Sequence, residues 1–212
     1  MRILGFDSGM DLVAGVLVDT TLCPGALPRD FNGLARAAHG FVEEVRVTTP
    51  PTLSTVARCQ MIRDGLRERA PRGVDVVLIE VPRIDGRYRR HSGLGENELV
   101  TDLSKLNRSI GAISCGVEGL LVLEVPAAAG SKDARRVEIN TAMAAAGKPL
   151  IRNGDVVDAA HMTFTAAAEF LRNSRYFGQC AYAGKLYPSA AAATAARLEV
   201  EERAKPRARR PA

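Results

Sequence analysis

Four carboxylates stand where apolar or neutral residues would be the easier choice. Asp7 closes the apolar run ILGF, and Glu80 closes VDVVLI. An ionised group at the end of a buried strand needs a counter-charge or a metal. Further along, NGDVVDAAHMTF carries Asp155 and Asp158 three residues apart, a spacing that sets both on one face at the start of a helix. Carboxylate oxygens suit hard Mg2+ or Mn2+, and two such ions can activate a water on one side of a phosphodiester and stabilise the leaving oxygen on the other. The chemistry that fits these residue types is metal-dependent phosphoryl transfer.

Each acid also has an ordinary reading. An Asp after a strand caps a turn, Asp155 behind Asn153 and Gly154 serves as a helix N-cap, and Asp158 complements the helix dipole. His161, one turn after Asp158, is open to metal ligation or to burial as a satisfied histidine. Taken singly, the ordinary readings prevail. The joint pattern outweighs them if the fold brings all four acids to one place.

The elements that must do this are readable from periodicity. RILGFD is a strand, SGMD a tight turn and LVAGVLVD a second strand. After a loop with Pro24, Gly25 and Pro28, FVEEVRVTT alternates as a third strand. A helix from about Thr52 to Arg69 stops at PRG, and VDVVLIEVP follows as a strand apolar on both faces, as expected of one buried and parallel to a neighbour. A Gly/Arg-rich loop from about Pro82 to Asn97 leads to a helix carrying Leu99, Leu103, Leu106 and Ile110, then to the strand GLLVLEVP. SKDARRVEINTAMAAAG predicts a helix capped by Ser131 and ended by Gly147, and an Ala-rich helix runs from about Asp155 to Leu171. The order β-β-β-α-β-α-β-α-α predicts an α/β fold with a five-stranded mixed sheet, three strands antiparallel and two parallel, flanked by helices. With strands one and four as parallel neighbours, Asp7 and Glu80 emerge at one carboxyl edge, where open α/β sheets place their ligands.

GFDSG at 5–9, LIEVP at 78–82 and DVVDAAHMTFTAA at 155–167 resemble the RuvC-type Holliday-junction resolvases, in which an Asp, a Glu and an Asp-x-x-Asp-Ala pair follow in this order. The likeness covers roughly residues 1–173. It implies an RNase H-like fold of the retroviral-integrase superfamily, a homodimer, two Mg2+ ions for which Mn2+ substitutes, and paired nicks in a four-way DNA junction. Asp7, Glu80, Asp155 and Asp158 inherit the metal-ligand roles. The family's lysines before the last acids point to Lys132 as a catalytic residue, with Arg135 and Arg136 beside it on the DNA. The basic loop after Glu80 and the Ala-rich C-terminal extension depart from the bacterial enzymes and suggest a divergent, phage-type branch.

In that loop Arg83, Arg87, Arg89, Arg90 and His91 follow Glu80 directly and are candidates to hold backbone phosphates, while Tyr88 stacks on a base. A solvated loop is the competing reading. The helix from Glu98 to Gly111 offers a dimer surface, since a two-fold dimer sets two sites across a junction of matching symmetry.

With 212 residues and 46% hydrophobic composition, the chain can bury one substantial core. The expected division is a nuclease domain over 1–175, a linker and C-terminal helix over 176–202, and a basic tail over 203–212. The net charge of +5 lies in that tail: without Arg203, Lys205, Arg207, Arg209 and Arg210, the remaining 24 basic residues match the 24 acidic ones. The tail either neutralises phosphates or simply solubilises. No stretch reaches the roughly 18 apolar residues of a membrane span, and MRILGFDSG runs into a strand without a signal-peptide core, so a soluble, cytoplasmic protein is expected. Cys23, Cys59, Cys115 and Cys180 have no zinc spacing and are expected as free buried thiols. Other functional classes remain: an RNase H-like nuclease acting on RNA/DNA hybrid or structured RNA, a non-catalytic nucleic-acid-binding relative, and an actin-like ATP-binding protein. The short length and lack of a second phosphate loop argue against the last.

Overall fold

The protein is described from a computed structural model, which covers residues 1–25, 33–81, 96–117, 120–128, 130–182, 185–186 and 194–200. The strands β1 (Arg2–Ser8) and β2 (Leu12–Asp19) form the expected antiparallel hairpin, and β3 (Phe41–Thr48) adds antiparallel to β2. β4 (Val76–Val81) then pairs parallel with β1, and β5 (Leu121–Pro126) parallel with β4. The five-stranded mixed sheet is as the sequence predicts. Beyond it, two-residue strands β6 (Ala181–Tyr182) and β7 (Lys185–Leu186) extend the sheet past β5, giving the order β3-β2-β1-β4-β5-β7-β6.

Six α-helices are assigned among the described residues: α1 (Gly33–His39), α2 (Thr55–Arg69), α3 (Glu96–Gly116), α4 (Lys132–Ala145), α5 (Gly154–Arg172) and α6 (Tyr176–Cys180), with residues 194–200 helical again. α1 and α6 are additions to the expected order. Ser131 caps α4 by accepting from the Ala134 amide, and Gly147 just beyond its end has φ +66, a left-handed conformation that glycine adopts without a Cβ penalty.

The strands alternate between two cores. Ile3 of β1 and Val76 and Leu78 of β4 face a layer of α1, α4 and α5, with Ile139, Met143, Val157 and Phe164 buried against them. Leu4, Phe6, Val77 and Ile79 face the opposite layer, where α2 supplies Ile62 and Leu66 and α3 supplies Ile113. A sheet covered on both faces needs central strands that are apolar throughout, which is why VVLI reads as an unbroken run.

The Ala-rich face of α5 lets it lie directly on β1. At Gly5 an added Cβ would sit 2.1 Å from Thr163 Oγ1 and 2.9 Å from Met162 Cε. Gly5 is therefore a point of close approach between strand and helix, two residues before Asp7. No described helix is long and apolar enough to cross a membrane. The described cysteines Cys23, Cys59 and Cys115 are free, but none is fully buried, and Cys115 is exposed.

Candidate active site

Strand phase decides where the first two acids go. Asp7 is in step with Ile3 and Gly5, and Glu80 with Val76 and Leu78, so both face the α5 layer. The parallel register pairs Gly5 with Leu78 and Phe6 with Ile79, and one residue further it sets Asp7 level with Glu80. The chain beyond is pinned there. Ser8 Oγ donates to the Glu80 carbonyl at 2.9 Å, and the buried Ser109 of α3 donates to the Gly9 carbonyl at 3.1 Å.

α5 delivers the other pair. Its N-cap is Asn153, whose side chain accepts from the amides of Asp155 (2.9 Å) and Val156 (3.2 Å). The cap reading of Asp155 is thereby removed: its carboxylate lies in the first turn, and Asp158 follows one turn on. The positive end of the α5 dipole favours both anions.

The four carboxylates repel one another. Asp7 is pushed up to about 7, first by burial and then by the charges of Glu80, Asp155 and Asp158, with Lys132 opposing. Glu80 is raised as well, by burial and Asp158, against the pull of Arg135, the Ala128 amide and Lys132. These couplings place all four acids in one electrostatic cluster.

The neighbouring helix answers with cations. Lys132 Nζ lies 2.8 Å from Asp155 Oδ1 and 3.1 Å from Asp158 Oδ2. Arg135 Nε reaches Asp158 Oδ1 at 2.8 Å, while its Nη1 donates to the Gly130 carbonyl at 2.9 Å. Burial alone would lower Lys132, but its hydrogen bonds to Asp155 and Asp158 outweigh it and hold the ammonium above its usual range. A helix N-terminus disfavours cations, and Lys132 and Arg135 at the start of α4 are offset by the acids opposite. Gly154 leaves room for this lysine, since a Cβ there would lie 2.6 Å from Lys132 Cε and push the end of the side chain aside.

The donor set fits a divalent cation. It consists of the hard oxygens of four carboxyls, and two of these, Asp7 and Glu80, are raised by burial and mutual repulsion, a cost that a 2+ charge would relieve. Among the described residues no three candidate ligands are already drawn in around one point; Lys132 Nζ sits between Asp155 and Asp158 and supplies positive charge there. His161 is a neighbour of this cluster. Burial lowers it, and its Nε2 lies 3.6 Å from Glu138 of α4.

No protein-family model and no curated protein matches this chain. Solved structures do. T. thermophilus RuvC in complex with Holliday junction substrate superposes with a TM-score of 0.55 at 18% identity, covering 81% of this chain and 96% of that one. A second Thermus thermophilus RuvC structure gives 0.56 at 16%, covering 82% and 97%. The chain has the RuvC-type fold.

Within that RuvC-type fold, Asp7, Glu80, Asp155, Asp158, Lys132 and Arg135 come together, with Arg136 alongside at 3.9 Å from Asp133. Arg83, Arg87, Tyr88, Arg89, Arg90 and His91 lie outside the described residues, as do 203–212. Sequence reasoning missed Gly5 and Gly154, whose bare Cα atoms let α5 and Lys132 close on the acids. For Gly154 the Asn-Gly pair before Asp155 was a visible signal of a helix start; Gly5 had none.

Proposed function

We propose that this chain is a structure-selective endonuclease that resolves four-way DNA junctions by paired, Mg2+-dependent phosphodiester hydrolysis. The observation that carries the reading is the convergence of Asp7, Glu80 and the Asp155/Asp158 pair at one sheet edge, with Asp7 pushed up to about 7 by burial and by the charges of the other three. The RuvC-type fold supports the substrate class, because one similar structure is a RuvC in complex with Holliday junction substrate.

Asp7, Glu80, Asp155 and Asp158 would hold two Mg2+ ions, with Mn2+ as a substitute. The bound ions would supply activation of a water and stabilisation of the leaving oxygen. Lys132 stands among the acids to contact the reacting phosphate, and Arg135 fixes Asp158. Arg136 and the loop residues Arg83, Arg87, Tyr88, Arg89 and Arg90 belong to the DNA-contacting surface, with the tail 203–212 appended to a nuclease domain over 1–175 and a linker and helix over 176–202. Contacts of this kind fix position on the backbone and leave selectivity to branch geometry. A homodimer, using α3, would present two sites to the two strands of one junction. The protein would act in the cytoplasm of a bacterial or phage-infected cell.

The test compares a synthetic four-way junction with linear duplex and RNA/DNA hybrid, each with and without Mg2+. Symmetric nicks in the junction alone support the reading. Preferential cleavage of the hybrid would replace it with an RNase H-like ribonuclease, and binding without cleavage on any substrate would leave a non-catalytic DNA-binding protein.

A further inference from the structure

Buried hydroxyls collect beneath the acids, on the face of the sheet away from α5. Among the described residues five polar side chains are buried, Ser8, Thr20, Thr49, Ser109 and Thr163, and three of them serve the short turn that follows Asp7. Ser8 Oγ donates to the Glu80 carbonyl at 2.9 Å, Ser109 Oγ to the Gly9 carbonyl at 3.1 Å and Thr49 Oγ1 to the Met10 carbonyl at 2.7 Å. The Thr49 amide donates to the Asp11 carbonyl at 2.9 Å. Arg58 donates to Thr49 Oγ1 at 2.9 Å and pairs with the Asp11 carboxylate. Desolvating a hydroxyl cancels most of what its hydrogen bond returns, so three of them around one turn point to a role beyond packing.

The paired register of β1 and β4 ends at Phe6 and Ile79, although β1 stays paired with β2 as far as Ser8 and β4 with β5 as far as Val81. The strands that carry Asp7 and Glu80 are thus each held on their outer side. At the level of the acids, the bond from Ser8 to the Glu80 carbonyl ties them to one another. Ser109 departs from the habit of a helical hydroxyl, which is to bond back along its own helix. Ser114, Thr141, Thr163 and Thr165 each donate to the carbonyl four residues back, whereas Ser109 reaches out of α3 to the turn behind Asp7.

We infer, on the nuclease reading above, that Ser8 and Ser109 are positioning residues that fix the separation of the Asp7 and Glu80 carboxylates and so favour Mg2+ at the centre. Both act through backbone: Ser8 through the carbonyl of Glu80 itself, Ser109 through Gly9, two residues beyond Asp7. Mg2+ demands near-ideal octahedral geometry at short oxygen distances, while Ca2+ accepts a larger and more flexible shell. Slack between β1 and β4 therefore penalises Mg2+ and leaves Ca2+ nearly unaffected.

The test titrates the full chain with Mg2+ and, separately, with Ca2+, read by calorimetry and by the rise in melting temperature that each ion produces. Ser8→Ala should weaken Mg2+ binding about threefold to tenfold, the scale of one hydrogen bond. Ca2+ binding should change by less than about twofold, because its shell tolerates the slack. Ser109→Ala removes a link supplied by a different element and should repeat the pattern, while Ser8→Thr keeps the hydroxyl and should restore Mg2+ binding. The Mg2+ concentration that half-saturates junction cleavage should follow the same order. Melting without metal shows which variants fold, and Ser109→Ala carries the test if Ser8→Ala does not. Equal weakening of both ions, or unchanged Mg2+ binding in the alanine variants, overturns the positioning role, while Mg2+ binding and junction cleavage by wild type keep the nuclease reading. A wild type that neither binds Mg2+ nor cleaves junctions overturns both.

Discussion

Bringing Asp7, Glu80, Asp155 and Asp158 together is unfavourable until positive charge joins them, and Asp7 bears most of the penalty. Between its ordinary 3.8 and about 7, the folded protein keeps a proton on Asp7 that the unfolded chain has released. Stability without metal therefore falls as pH rises through that window and levels off above it. Glu80, also raised, contributes with the same sign. Asp7→Asn removes the ionisation, so in EDTA at pH 8 the variant should melt above wild type, by an amount bounded at roughly 4 kcal/mol, with a flatter profile from pH 4 to 7. A variant less stable than wild type at pH 8 would contradict this. Arg135 and Asp158 form the most enclosed ion pair of the site, at 14% and 11% side-chain exposure. Arg135→Ala leaves Asp158 beside Glu80 without that partner and should cost about 3–5 kcal/mol in chemical denaturation. Adding Asp158→Asn should recover part of the loss, and strict additivity of the two substitutions would refute the coupling.

The elements explain why separate parts of the chain reach one point. β1 and β4 set two acids level, and α5 lies on β1 closely enough to bring the second pair over them. Gly5→Ala puts a methyl where Thr163 Oγ1 now sits and should cost about 1–3 kcal/mol by overpacking. Because the displaced helix carries Asp155 and Asp158, Mg2+ affinity measured by calorimetry should fall as well; unchanged affinity would show that the site tolerates a shifted α5. The acids and their strand order were legible because a charge ending an apolar run is conspicuous and because helix and strand periods differ. α1 was not legible, since two turns lie below the length at which a helix declares itself, and two-residue strands such as β6 and β7 carry no alternation at all. The bridge from Lys132 and Arg135 to the acids was only partly legible. Their position before the last acids was visible, but an ion pair between two helices leaves no spacing to read.

At the scale of the whole molecule, the excess of positive charge lies in the tail. Deleting 203–212 should weaken junction binding and reduce the slope of log K against log salt by about 0.9 for each phosphate that the truncated protein no longer neutralises. An unchanged slope would make the tail a solubilising segment. On the proposed function, four acids on a RuvC-type fold form one metal-dependent nuclease centre. The direct measurement is cleavage of a labelled four-way junction in Mg2+ by wild type and by Asp7→Asn, with junction binding and thermal melting recorded on the same preparations. The expected result is paired nicking by wild type that EDTA abolishes, and no cleavage by an Asp7→Asn protein that still binds the junction and melts no lower than wild type. Full cleavage by Asp7→Asn, or wild-type cleavage that persists in EDTA, would contradict the account.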